Sequence, residues 1–120
     1  MEAAAQHILF ILNDAPYGSE RPYNGLRAAL NVVKHEGASV RIFMTGDGVL
    51  CAKSGQKTPH GYYNVERMVK SLARRGEVAT CGSCCEARGL GPEELVEGVR
   101  MGSLDVMGEW IVAADKVLVF

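Results

Sequence analysis

From Ile8 to Met44 the chain reads ILFILNDAPYGSERPYNGLRAALNVVKHEGASVRIFM, and three patterns follow one another inside it. Ile8 to Leu12 is apolar without a break, so it has no face for water and reads as a strand buried on both sides. The turn residues Asn13 and Asp14 stop it. Ser19 is placed to cap the next segment and Pro22 suits its first turn, after which Leu26, Ala29, Leu30 and Val33 recur at helical spacing until Gly37. Val40 to Met44 is a second apolar strand, stopped by Thr45-Gly46-Asp47-Gly48. A strand, an amphipathic helix and a second strand in this order call for a crossover between parallel neighbours.

The alternation continues outward from this unit. Val49 to Gly61 is loose, with Gly55, Pro59 and Gly61 and room for a helical turn over Leu50 to Lys53, and it is long enough to cover a site. Val65, Met68, Val69 and Leu72 mark a second helix ending at Gly76, and Val78 to Thr80 is a short third strand that runs directly into Cys81. Gly91-Pro92-Glu93-Glu94 has the form of a helix start, and Val99 to Met101 that of a brief strand. Ser103 is placed to cap a helix with Leu104, Met107, Ile111 and Val112 as its core face, and Lys116 to Phe120 closes as a last strand. The expected fold is therefore α/β, a doubly wound parallel sheet with helices on both faces. Ligands of such sheets sit outside the carboxyl ends of the strands, where Asn13, Gly46, Cys81 and Gly102 fall.

Composition sets the outer limits. With 120 residues, 48% hydrophobic and 22% charged, the chain has the balance of an ordinary globular protein and the size of one domain spanning 1–120. The net charge is -1, and the basic residues are scattered apart from Arg74 and Arg75, so nothing tracks a phosphate backbone and no direct nucleic-acid contact is expected. Met1 to Gln6 lacks the features of a secretory signal and Ile8 to Leu12 is far too short to span a bilayer, which points to the cytoplasm and away from a membrane. The four cysteines, three of them between Cys81 and Cys85, then read as reduced, chemically active thiols rather than structural disulfides.

Cys81-Gly-Ser-Cys84 has the C-x-x-C spacing that lets two thiols form a disulfide, exchange persulfide sulfur or hold half of a zinc site, and spacing alone does not choose. A thioredoxin-type pair opens a substantial helix, whereas Gly89, Gly91 and Pro92 interrupt any helix here within two turns. A closed zinc site needs four ligands, and Cys51, His7, His35 and His60 supply no matching second pair, so no metal is expected. What remains is a nucleophilic thiol in a loop, with Cys81 favoured by its place after the strand. Gly82 and Ser83 are small enough to let backbone N–H groups turn toward its sulfur. The bland alternative is a buried, inert thiol; the adjacent glycine and cysteines argue against it. Arg88 is a candidate countercharge, or simply a solvated arginine. Asn13 to Glu20 lacks the glycine-rich pattern of a phosphate loop and reads as a turn with a helix cap. Asn13 shares the rim with Cys81, and Tyr17 is a candidate lining residue for the thiol pocket. His60 is either a proton shuttle or an exposed loop histidine, and Trp110 belongs to the core or a subunit contact.

These residues carry a resemblance: Asn13-Asp-Ala-Pro-Tyr-Gly-Ser-Glu20, Gly55-Gln-Lys57, Gly61-Tyr-Tyr-Asn64, Cys81-x-x-Cys84 with Arg88-Gly89, and the ending Ala114-Asp-Lys-Val-Leu-Val-Phe120. In order along nearly the whole chain, they are similar to the DsrE/DsrF-like sulfur-relay superfamily, in particular its YchN-like branch. The resemblance implies a flavodoxin-like three-layer α/β/α sandwich with a mainly parallel five-stranded sheet, and ring-like homo-oligomers, commonly trimers or hexamers. It also implies a loop cysteine after the third strand that carries sulfur as a persulfide, matched here by Cys81, with a second cysteine matched by Cys84. Cys85 departs from the pattern. Sulfur donor and acceptor proteins would be the partners, and no cofactor is needed. Two other functions fit the same residues: a thiol redox protein or sensor cycling Cys81 with Cys84 or Cys85, and a non-catalytic oligomeric binding module.

Overall fold

The structure is a computed structural model that describes residues 6–120. Its first strand, β1 (Gln6–Leu12), is the apolar run of the sequence, and Ile8 to Leu12 are all buried. Helix α1 (Arg21–Val32) turns Leu26 and Ala29 inward. It starts one residue later than a Ser19 cap would place it. Glu20 holds the cap position, while the Ser19 hydroxyl accepts the Arg21 N–H at 3.2 Å and donates to Asp14 at 3.3 Å. The serine thus tightens the turn before the helix instead of capping it.

Strand β2 (Ala38–Met44) pairs with β1 in parallel, Leu12 lying opposite Met44. The chain then enters a 3-10 stretch, Gly46–Ala52, longer than the single turn expected at Leu50 to Lys53. Helix α2 (Val65–Arg75) buries Val65, Val69 and Leu72, is capped by Asn64 accepting the Arg67 N–H, and ends at Gly76. Next come β3 (Glu77–Cys81), a short helix α3 (Gly82–Ala87), one 3-10 turn at Pro92–Glu94, β4 (Val99–Gly102), α4 (Leu104–Ala113) and β5 (Lys116–Val119). Gly91-Pro92-Glu93-Glu94 starts only that single turn, because Leu95 returns to extended backbone.

All five strands are parallel, in the order β4-β3-β2-β1-β5. Three crossovers step the same way across the sheet and the last, through α4, returns to the far side of β1. A constant crossover hand therefore places α4 on the face opposite α1 and α2. Side-chain alternation agrees: Leu12 lies against α1 beneath Gly25, whereas Phe43 meets Trp110 of α4 edge-on at 6.1 Å. The result is the expected α/β/α layering on a five-stranded sheet, with no antiparallel strand in it.

The inner face of α4 differs from the expected one. Trp110 is its buried residue, with Val106, Met107 and Ala114 partly covered, whereas Leu104 is 74% exposed and Val112 87% exposed. This helix is apolar around much of its circumference, so periodicity alone does not say which side turns inward. Ser103 caps it as expected, accepting the Val106 N–H. Among the described residues no helix is long and apolar enough to cross a membrane.

Candidate functional site

Register brings the candidate site together at one rim of the sheet. Met44 lies opposite Thr80 and Cys81 opposite Gly102, so the residues that follow β2 and those that follow β3 leave the sheet side by side. Cys81 is the last residue of β3 and the cap position of α3, at 8% exposure. The expected loop is thus closed into a helix of six residues, which stops before Gly89 with its φ of +66°.

Within that helix the three thiols point in different directions. The Cys81 sulfur lies 3.3 Å from Ser83 Oγ. Burial alone would push this thiol up, but hydrogen bonds from the Ser83 and Cys84 side chains and from both backbone N–H groups outweigh it, so Cys81 titrates below the ordinary thiol range. Gly82 has no room for a side chain, because a Cβ there would lie 2.9 Å from the Gly102 carbonyl oxygen. Cys84 is half-buried and faces the neighbouring turn, where the Gly46 N–H donates to its sulfur at 3.2 Å and Thr45 Oγ1 lies 3.6 Å away. Cys85 is fully buried, and desolvation pushes its thiol up. It behaves as a core residue.

Arg88 is exposed and engaged in an ion pair. Its guanidinium donates to Asp47 at 3.0 Å from Nε, approaches the same oxygen at 2.9 Å from Nη2, and donates to the Cys84 carbonyl at 3.0 Å. It is a clamp between α3 and the turn after β2. Asn13 is turned toward the other edge of the sheet, its amide side chain donating to the Phe120 carbonyl at 3.4 Å. Tyr17 also bonds elsewhere: its hydroxyl donates to Gln56 at 2.6 Å and accepts the Val65 N–H at 3.0 Å, and its ring stacks with Tyr63. The segment around Gln56 is anchored to Tyr17, Glu66 and the Cys51 and Lys53 carbonyls, whereas the stretch packed against α3 is Gly46–Ala52. His60 is exposed at the far end of that segment.

Sequence reasoning missed Thr45 and Gly46 as sulfur partners and Asp47 as the anchor of Arg88. The available signal was the run of turn residues at the end of β2, next in the sheet to the cysteine strand. Cys51 is buried outside the rim, donates to the Asp14 carbonyl at 3.5 Å, and is pushed up to about 12 by desolvation. Among the described residues no group of three or more histidine, cysteine, aspartate or glutamate side chains is placed to hold a metal ion.

Relatives are similar in sequence, and one of them in fold. Protein YchN of Escherichia coli is 38% identical over 117 residues, covering 96% of this chain and 99% of that protein. An uncharacterized protein of Methanopyrus kandleri is 36% identical over 113 residues, covering 94% and 93%. The crystal structure of the Escherichia coli YchN protein superimposes with a TM-score of 0.90 at 37% identity, covering 96% of this chain and 99% of that one. Residues 6–120 match the DsrE/DsrF-like family, which is associated with sulfur relay. On that match and that shared fold, the chain belongs to the DsrE/DsrF-like family.

Proposed function

We propose that this protein is a sulfur carrier of the cytoplasm, working as a homo-oligomer, in which Cys81 accepts sulfane sulfur from a donor protein and passes it to an acceptor. The observation that carries this reading is the Cys81 sulfur itself, held at the end of a rigid strand among hydrogen-bond donors that favour its anion. The Cys81 thiolate attacks the terminal sulfur of a donor persulfide. A new sulfur–sulfur bond forms on Cys81, the donor's bond breaks, and the donor leaves as a thiolate. An acceptor thiolate then repeats the exchange on the Cys81 persulfide. Both steps conserve electrons and need no cofactor.

Intact mass spectrometry after incubation with a persulfide-forming desulfurase tests this. The wild-type chain is expected to gain one sulfur atom and Cys81→Ser none. A Cys81→Ser protein that loads sulfur at the native rate overturns the assignment.

A second reading, a dithiol redox protein or sensor, is favoured by the placement of Cys81 at the cap position of α3 and Cys84 in its first turn. It requires a Cys81–Cys84 disulfide with a reduction potential near the cytosolic poise, measurable by thiol–disulfide equilibration.

A further inference from the structure

Ser83 serves the Cys81 sulfur, but the Cys84 sulfur has donors from a different element. The Gly46 N–H donates to it at 3.2 Å and the Thr45 hydroxyl lies 3.6 Å away. The turn that presents them is held from several sides. Thr45 N–H donates to the Leu12 carbonyl at 3.0 Å, Gly48 N–H donates to the Thr45 carbonyl at 2.9 Å, and Arg88 ties Asp47 to the Cys84 carbonyl. Gly46 has a φ of +58°, a left-handed conformation that glycine adopts without steric cost and that sets the direction of its N–H. A backbone N–H and a hydroxyl converge on this one sulfur, and both can donate to it once it carries the negative charge of a nucleophile.

We propose that the Thr45–Gly46 turn is a sulfur-anion cradle that makes Cys84 the second station of an internal relay, so that sulfur passes from Cys81 to Cys84 before it leaves the protein. This rests on the reading that Cys81 takes up sulfane sulfur. In the step, the Cys84 thiolate attacks the terminal sulfur of the Cys81 persulfide. A bond forms between that sulfur and Cys84 Sγ, the bond to Cys81 Sγ breaks, and Cys81 departs with the electron pair as a thiolate beside Ser83. The transferred sulfur keeps its proton, and no oxidant or reductant is consumed. Cys84 is half-buried, so an acceptor can reach the sulfur at the second station. Thr45 is a positioning residue that acts through Cys84.

The test uses the full chain loaded with inorganic polysulfide, trapped with iodoacetamide at successive times and sequenced by tandem mass spectrometry to locate the extra sulfur. In the wild-type protein sulfur is expected first on Cys81 and then on Cys84. Thr45→Val keeps the side-chain shape but removes the hydroxyl, and the Cys84 share is expected to fall roughly tenfold, the size of one lost hydrogen bond to a charged group. Thr45→Ser restores it. In unloaded protein the iodoacetamide rate at Cys84 follows the same order, slower in Thr45→Val and recovered in Thr45→Ser, which separates loss of the hydroxyl from loss of the fold. Sulfur that reaches Cys84 equally fast in Thr45→Val overturns the cradle, as does a Thr45→Ser protein no better than Thr45→Val. Sulfur that loads on Cys81 but never appears on Cys84 overturns the internal relay alone. Absence of sulfur on Cys81 in every protein overturns the carrier reading beneath it.

Discussion

Cys81 caps the short helix that carries Cys84 and Cys85, yet one sulfur lies among donors of its own turn, one faces the turn of the neighbouring strand and one is sealed in the core. Cys85→Ser is therefore expected to leave sulfur uptake unchanged while lowering stability by about 1–2 kcal/mol, because it puts a hydroxyl among apolar neighbours. A urea titration beside the mass assay checks both halves. Cys51 makes a prediction of its own. Burial pushes its thiol from 9.0 to about 12, so within that window the unfolded chain has lost a proton that the folded chain keeps. Stability is then constant below the window and falls as pH rises through it, by up to about 1.4 kcal/mol per pH unit. Cys85 is shifted the same way and adds to the fall. Cys81, shifted downward, has the opposite sign: its contribution is present at high pH and is lost as pH falls through its folded value. Urea midpoints compared between about pH 8 and about pH 10 should drop less steeply in Cys51→Ala than in the wild type. The placement of Cys81 was legible in the sequence, since a strand that stops at a cysteine followed by two small residues leaves its sulfur at the rim. The partners of Cys84 were not, because they lie 38 and 39 residues away in the chain and only the pairing of β2 with β3 brings them together.

The 3-10 stretch Gly46–Ala52 joins the thiol helix to the rest of the molecule, and one glycine lets it approach. A Cβ on Gly48 would lie 2.1 Å from the Leu12 carbonyl oxygen, a backbone atom that cannot swing aside. Gly48→Ala is accordingly expected to cost about 2 kcal/mol or more, and to loosen Cys84 from its turn, which a faster exchange of the Gly46 amide hydrogen would register. The run Thr45 to Gly48 was recognisable as a stop to β2 and a helical turn was readable at Leu50 to Lys53, but the start of the helical stretch at Gly46 was not, since Gly46 to Gly48 read only as turn-forming. Helix α4 shows the converse limit. Its existence and its Ser103 cap were readable from the sequence, whereas its inward face was not, because apolar residues lie on both sides and the choice is made by Phe43 and the sheet beneath Trp110. Trp110→Ala should cost about 3–5 kcal/mol, the range for an aromatic removed from a packed site, as read by thermal or urea unfolding.

Across the whole molecule, the topology leaves α4 alone on its face and β5 at an edge. Leu104, Ile111 and Val112 of the helix and Val117, Leu118 and Val119 of the strand are all exposed. An apolar helix side next to an open strand edge is costly to leave in water, and a second copy of the chain is the occupant that the proposed homo-oligomer supplies. Light scattering at micromolar concentration should return a multiple of the monomer mass, and Val112→Asp should shift it toward the monomer while leaving the far-ultraviolet circular dichroism unchanged. A monomer mass for the wild-type chain would count against assembly. Trp110, the chain's one tryptophan, is buried under this exposed helix, with the guanidinium groups of Arg41 and Arg100 at 5.0 Å and 5.6 Å from its ring. The protein therefore carries an unlabelled optical reporter on a helix that docks on the sheet and exposes apolar side chains outward. Its emission should lie to the blue in the folded chain and move to the red when α4 lifts from the sheet, so that dilution and denaturation can be followed at a single wavelength pair without attaching a dye to any of the thiols.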